Sequence, residues 1–246
     1  MQTRRLIETY FYFFMSLLIA VVVVYGFSFT VDRNLFHPAV PRPFILWVHA
    51  AVFSGWVLFF ILQSGLVRRR KVRWHQRMGY FGAAMGGSMV VLGVATAIVM
   101  AKFNTVRLHQ TGAAAFLIIP LFDMLCFATT LGLAVYWRKK PEYHRRLMLV
   151  VTCALTEAAF GRLGAFGHIR PFKMVGFGPI MPFDFNFAGV DLLILLGVAR
   201  DLIVNRRVHP VYLYVLPAFV VGQTIVAYTY AHRLPYWMSV AHLILR

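Results

Sequence analysis

Seven apolar stretches of about 20 residues or more lie between the charged residues of this chain, and this alternation of long apolar run and basic turn constrains its fold more than any other feature. A run of that length exceeds what a soluble core helix needs and matches one crossing of a lipid bilayer. Only 13% of residues are charged, about half the share in a soluble domain, so a water-soluble fold is excluded. The predicted class is all-α: a polytopic membrane helix bundle of seven transmembrane helices over 9–31, 43–67, 78–101, 111–137, 147–166, 186–205 and 210–231, forming one domain over 1–246. The sixth is the weakest, because it holds Asp191 and ends through Arg200 and Asp201. Pro217 marks a kink site in the seventh.

The formal net charge is +17. In a soluble protein this excess would suggest nucleic acid, but here the basic residues fall between apolar runs and read as membrane topology and attraction to anionic lipid, with no nucleic-acid partner. With the N-terminus in the cytoplasm, sixteen of the 25 Lys and Arg lie inside, at Arg4 and Arg5, in the turns Arg68 to Arg77 and Arg138 to Arg146, and at Arg200, Arg206 and Arg207. This places the N-terminus inside and the C-terminus outside. Residues 234–246 are too short to cross and read as an outer interfacial helix. The first run follows Arg4 and Arg5 like a signal peptide but is too long and has no small-x-small cleavage site, so it reads as an uncleaved helix. The apolar loop 167–184, rich in Pro and Gly, is expected against the bundle or another protein. Cys126 and Cys153 read as small buried hydrophobes.

Charged residues inside a membrane need named partners. Asp123 and Glu157 fall near mid-membrane on consecutive helices, where two carboxyls would share a dry site and hold at least one proton. They read either as a proton relay or metal-ligand pair, or as structural groups bonded to backbone carbonyls or to Thr152 or Thr156. Arg162 and Asp191 match in depth and are expected to form an ion pair. Gly82, Gly86, Gly87 and Gly93 leave one face of the third helix almost bare, which suits close helix packing more than a flat cofactor.

Four histidines recur at intervals of one crossing: His49 and His109 towards the outer side, His75 and His144 towards the inner. The inner pair share a local frame of aromatic, His, x, Arg, apolar, in Trp74-His-Gln-Arg-Met and Tyr143-His-Arg-Arg-Leu. Facing helices that supply one imidazole each can ligate haem iron. In this respect the chain resembles the two-haem transmembrane cytochrome b family that oxidises ascorbate, over residues 44–160. The resemblance implies that His49 with His109 ligates an outer haem b and His75 with His144 an inner one. Trp74 to Gly79, after a helix carrying His49, is also similar to the His-(Arg or Lys)-x-x-Gly turn of uncharacterised bacterial multi-helix membrane proteins, with Gln76 where that turn has its basic residue. That likeness implies residence in a bacterial cytoplasmic membrane and no particular chemistry. The inner histidines also read as turn-holding groups that bond helix ends or meet lipid phosphate.

Three functions therefore stand at this level. One is a b-type haem electron carrier. Another is a non-catalytic subunit of a larger respiratory or photosynthetic membrane complex, suggested by the outer loop, the glycine face and the aromatic C-terminal segment. The third is a metal-dependent membrane hydrolase using His49, Asp123, Glu157 and Asp191, although no HExxH, GxSxG, P-loop or CxxC motif accompanies it.

Overall fold

The computed structural model describes residues 2–166 and 185–246, and the expectations for the loop 167–184 and for His168 lie outside them. Every regular element among the described residues is helical: α1 Gln2–Ser28, α2 Ile45–Arg68, α3 Val72–Val106, α4 Ala113–Phe116, α5 Ile118–Tyr136, α6 Pro141–Ala154, α7 Glu157–Phe166, α8 Phe185–Asn205, α9 Pro210–His232 and α10 Pro235–Leu245, with a short π turn at Asp32–Phe36 after α1. Six helical stretches are long and apolar enough to cross a membrane, the character of an integral membrane protein: α1, α2, α3, α4 with α5, α6 with α7, and α9. The segment expected as the sixth crossing forms the helix α8, 21 residues long, and with Asp191, Arg200 and Asp201 in it α8 is not among those six.

Two crossings are each built from two helices, and local chemistry explains both breaks. Pro120 has no N–H to offer the Phe116 carbonyl, and the chain divides there into α4 and α5. Between α6 and α7 the Thr156 amide reaches the Cys153 carbonyl at 2.9 Å in a tighter turn, and the Thr156 hydroxyl donates to the same carbonyl at 2.6 Å. Pro217, by contrast, is carried inside an unbroken α9. α3 runs beyond the expected 78–101 at both ends, because charged residues mark where hydrocarbon stops and not where a helix must.

The centre of the bundle is α6. Arg146, Leu147 and every residue from Leu149 to Ala154 are buried, so it has no lipid face, whereas α1, α2 and α3 leave most of their length exposed. Met15 and Ile19 of α1, Val190 and Ile194 of α8, and Tyr212 and Phe219 of α9 close round one side of it. Trp56 of α2, Met89 of α3 and Phe127 and Leu131 of α5 close round the other. Both cysteines are buried and unbonded, as expected.

Gly82, Gly86 and Gly93 of α3 are packed from within the chain, and Gly87 is open. A Cβ on Gly86 would stand 2.6 Å from Leu131 and 3.1 Å from Trp56, and one on Gly93 would stand 2.2 Å from the Met124 sulfur. The C-terminal α10 also folds back onto its own chain, against α3 and α4. Trp237 donates its indole N–H to the Ala115 carbonyl at 3.0 Å, beside the α4–α5 joint, and Lys102 Nζ donates to the Arg246 carbonyl at 3.0 Å.

Gly86 and its neighbour Gly87 give a direct test of this packing, since nothing lies within 4 Å of a Cβ on Gly87. Gly86→Leu should destabilise the bundle by about 1–3 kcal/mol through overpacking. Gly87→Leu should leave the thermal midpoint in detergent unchanged or raised, because leucine is the better helix former.

Candidate functional site

Polar side chains gather at two levels of the bundle, and α6 with α7 contributes to both. At the end expected to be the inner one, the α2–α3 turn and the start of α6 bring His75 and His144 together with ring centroids 6.1 Å apart. Each ring is held through Nδ1. His144 Nδ1 donates to the Ala134 carbonyl at 2.9 Å, in the last turn of α5, where helical carbonyls lack an intrahelical partner. His75 Nδ1 donates to the Gln63 side-chain oxygen at 2.8 Å, and the Gln63 amide nitrogen points to the His75 carbonyl at 3.4 Å, which fixes which way the amide faces. Both bonds put the ring proton on Nδ1, so in the neutral rings each Nε2 keeps its lone pair. Through these bonds each ring ties two neighbouring elements together at this end of the bundle.

Two residues further along α6, on the opposite side of the helix, lies a buried ion-pair cluster. Arg146 grips Asp201 of α8 with two parallel bonds, Nε to Oδ2 at 2.7 Å and Nη2 to Oδ1 at 2.6 Å, while its Nη1 donates to the Glu142 carbonyl at 2.7 Å. Arg200 Nη1 at 2.9 Å and Asn205 Nδ2 at 3.0 Å also donate to Asp201 Oδ1. The three charged side chains are at most 1% exposed. Two guanidiniums thus share one carboxylate, and both Arg145 and Arg200 lie against the Tyr12 ring, at 5.8 and 5.7 Å. Arg4 donates to the Val204 carbonyl, tying the start of α1 to the end of α8. Next to this cluster His209 caps α9 by accepting from the Val211 amide at 3.2 Å. Burial and the nearby Arg146 hold its imidazole below the ordinary histidine range.

At the middle and outer level, the Asp123 and Glu157 carboxyls lie close enough to act on each other. Asn186 of α8 donates to Glu157 Oε1 at 2.9 Å. The expected ion pair between Arg162 and Asp191 does not form. Arg162 turns to α1, donating through Nε to the Thr30 hydroxyl at 2.9 Å and lying 4.1 Å over the Phe27 ring, while Asp191 turns to α9 and accepts from Gln223 Nε2 at 3.0 Å. Equal depth on neighbouring helices does not set which way two side chains face, and here each finds a different neighbour.

The outer imidazoles are not joined in the way the inner ones are. His49 stacks on Phe53 of its own helix with centroids 3.9 Å apart, its Nδ1 is buried without a protein partner, and Arg162 is the charged group that acts on it. His109 is exposed in the turn after α3, with a left-handed φ of 51°. No hydrogen bond or ring contact links His49 to His109 among the described residues. Nor do His49, Asp123, Glu157 and Asp191 gather into a metal-holding group of three or more among those residues.

Sequence reasoning missed Gln63 and the Arg146–Asp201–Arg200 cluster. Arg146 and Arg200 counted only as cytoplasmic charges. The available signal was Asp201 itself, a rare acid among inner-rim cations. Comparison with family models, curated proteins and solved structures finds no match to this chain.

Asp201→Ala should lower the stability of the purified protein by about 3–5 kcal/mol, since it strands two buried guanidiniums. The same substitution should lose much less in an Arg146→Met background, and denaturation of all four forms measures the coupling.

Proposed function

We propose that this chain is an integral membrane electron-transfer protein whose His75 and His144, each with Nε2 unprotonated, would hold one b-type haem at its inner rim. The observation that carries this is the geometry of the pair. With metal–nitrogen distances of about 2 Å on each side and a ring centre about 1 Å behind each nitrogen, two imidazoles on opposite sides of one metal stand roughly 6 Å apart, and these stand at 6.1 Å. The Nδ1 bonds to Gln63 and the Ala134 carbonyl supply the outer partners that orient ligating imidazoles. Gln63 and the last turn of α5 hold the rings, and Arg73, Arg77 and Arg145, in the same turns, are cations suited to carboxylate side groups. When bound, the haem supplies reversible one-electron chemistry.

The likeness to the two-haem cytochrome b family then extends to the inner level only, because His49 and His109 do not present a comparable pair. Membership of the bacterial group with the His-(Arg or Lys)-x-x-Gly turn is compatible with this assignment and adds no chemistry. The rival reading, an accessory subunit of a larger complex, has less to stand on, since Gly82, Gly86 and Gly93 of α3 and Trp237 of α10 meet partners within the chain. We assign α8 as a seventh crossing, its charges turned to Arg146, Gln223 and Asn205 and away from lipid. With the basic turns on the cytoplasmic side of a bacterial inner membrane, the N-terminus is inside and α10 is outside.

Full-length protein produced with haem supply should show a Soret band that shifts on reduction. His75→Ala and His144→Ala should each abolish the low-spin spectrum, while His49→Ala and His109→Ala leave it intact. Absence of the band, or its survival unchanged in both inner variants, would overturn the assignment. For orientation, single cysteines replacing Lys71 and Arg246 in a background lacking Cys126 and Cys153 should react with an impermeant reagent from opposite sides. Labelling of both from one side rules out seven crossings.

A further inference from the structure

We infer that the inner end of the α1–α2 interface is a binding site for one anionic phospholipid. A cleft of about 510 Å³ opens there between the two helices. Its walls are apolar, formed by Phe13 and Phe14 of α1 and Leu62 and Leu66 of α2, and its mouth is ringed by Arg68, Arg69 and Lys71, with no carboxylate lining it. A second cleft of about 420 Å³ adjoins it along α1, lined by Leu6, Ile7 and Phe11 together with Tyr10 and Phe14, which both clefts share. The ridge of Tyr10 and Phe14, with ring centroids 6.0 Å apart, therefore separates two apolar grooves. A molecule with two hydrocarbon chains and one anionic head has the shape to straddle that ridge.

The cations at the mouth are free for an outside partner. The carbonyls at the end of α2 are already met by the chain's own amides, Arg69 to Gly65 at 2.9 Å, Arg70 to Val67 at 3.0 Å and Lys71 to Leu66 at 2.8 Å, so the basic side chains are not needed as caps. Arg68 lies 3.8 Å over the Tyr10 ring, which sets its guanidinium at the boundary between groove and rim. Arg69 and Lys71 are exposed and take part in no ion pair among the described residues. The grooves lie along the apolar runs of α1 and α2, and the cations lie where those runs stop. That is the depth at which a bilayer presents acyl chain and phosphate in succession. Gly65 keeps the cleft open: a Cβ there would approach only Phe13, at 3.7 Å, so a larger side chain would enter the groove without displacing backbone.

The site rests on the membrane reading and not on the haem, and the test reads lipid and not absorbance. Detergent-purified full-length protein is offered phosphatidylglycerol or phosphatidylcholine, and retained lipid is counted by native mass spectrometry alongside the thermal midpoint. The wild type should retain one phosphatidylglycerol at a preference of about tenfold or more and gain thermal stability from it. The triple variant Arg68→Gln, Arg69→Gln, Lys71→Gln should lose the preference, and so should Gly65→Leu, which fills the groove and leaves the charges alone. Neutralising Arg138, Lys139 and Lys140 on the same face should leave the preference in place. Equal retention of both lipids by the wild type, an undiminished preference in Gly65→Leu, or an equal loss in the Arg138 to Lys140 control would each overturn the site. Should the triple variant not fold, Gly65→Leu alone decides.

Discussion

Hydrocarbon offers no hydrogen bonds, so the charged groups this chain carries between the two faces of a membrane are held chiefly by other groups of the same chain, although some buried polar atoms, His49 Nδ1 among them, have no such partner. The arrangement of the bundle follows from that requirement. Asp201 accepts four bonds from three side chains, Glu157 is met by Asn186, and Asp191 is met by Gln223. These contacts join α8 to α6, α7 and α9, which is how the most charged helix stays in the bundle. The peripheral helices α1, α2 and α3 carry few such groups and pack through shape, with glycine faces receiving aromatic and methionine side chains.

The crossings were legible because a desolvated charge is so unfavourable that the spacing of charges records the bilayer thickness. Helix ends were less legible. Arg73, Arg77 and Lys102 lie inside α3, because a helix continues into the interfacial zone where its charged side chains reach water. The break between α6 and α7 depends on a Thr156 hydroxyl turning back to Cys153, a local competition that apolar counting does not register. Pro120 and Pro217 differ in effect although both sit within apolar runs, since one divides its crossing and the other does not.

Depth, similarly, could be read from residue spacing, whereas direction round the helix could not. His75 and His144 were placed at one level by their positions and do face each other, helped by Gln63, which spacing never singled out. Arg162 and Asp191 were placed at one level by the same reasoning and face apart. The Arg146–Asp201 contact escaped because residues at the rim were credited with water. The position of α6 at the centre of the bundle, which takes Arg146 out of water, is a property of the whole assembly.

One consequence of α6 lies in the placing of His144 and Arg146 two residues apart on opposite sides of a helix that has no slack around it. A rigid rod buried along most of its length cannot rotate at one rim and stay still at the other side. Whatever changes the seat of the imidazole is therefore felt by the guanidinium, and through it by α8 and by the start of α1, tied to α8 by Arg4. The seat of His144, the Arg146–Asp201 contact and the start of α1 are thus joined through one helix and a short chain of bonds.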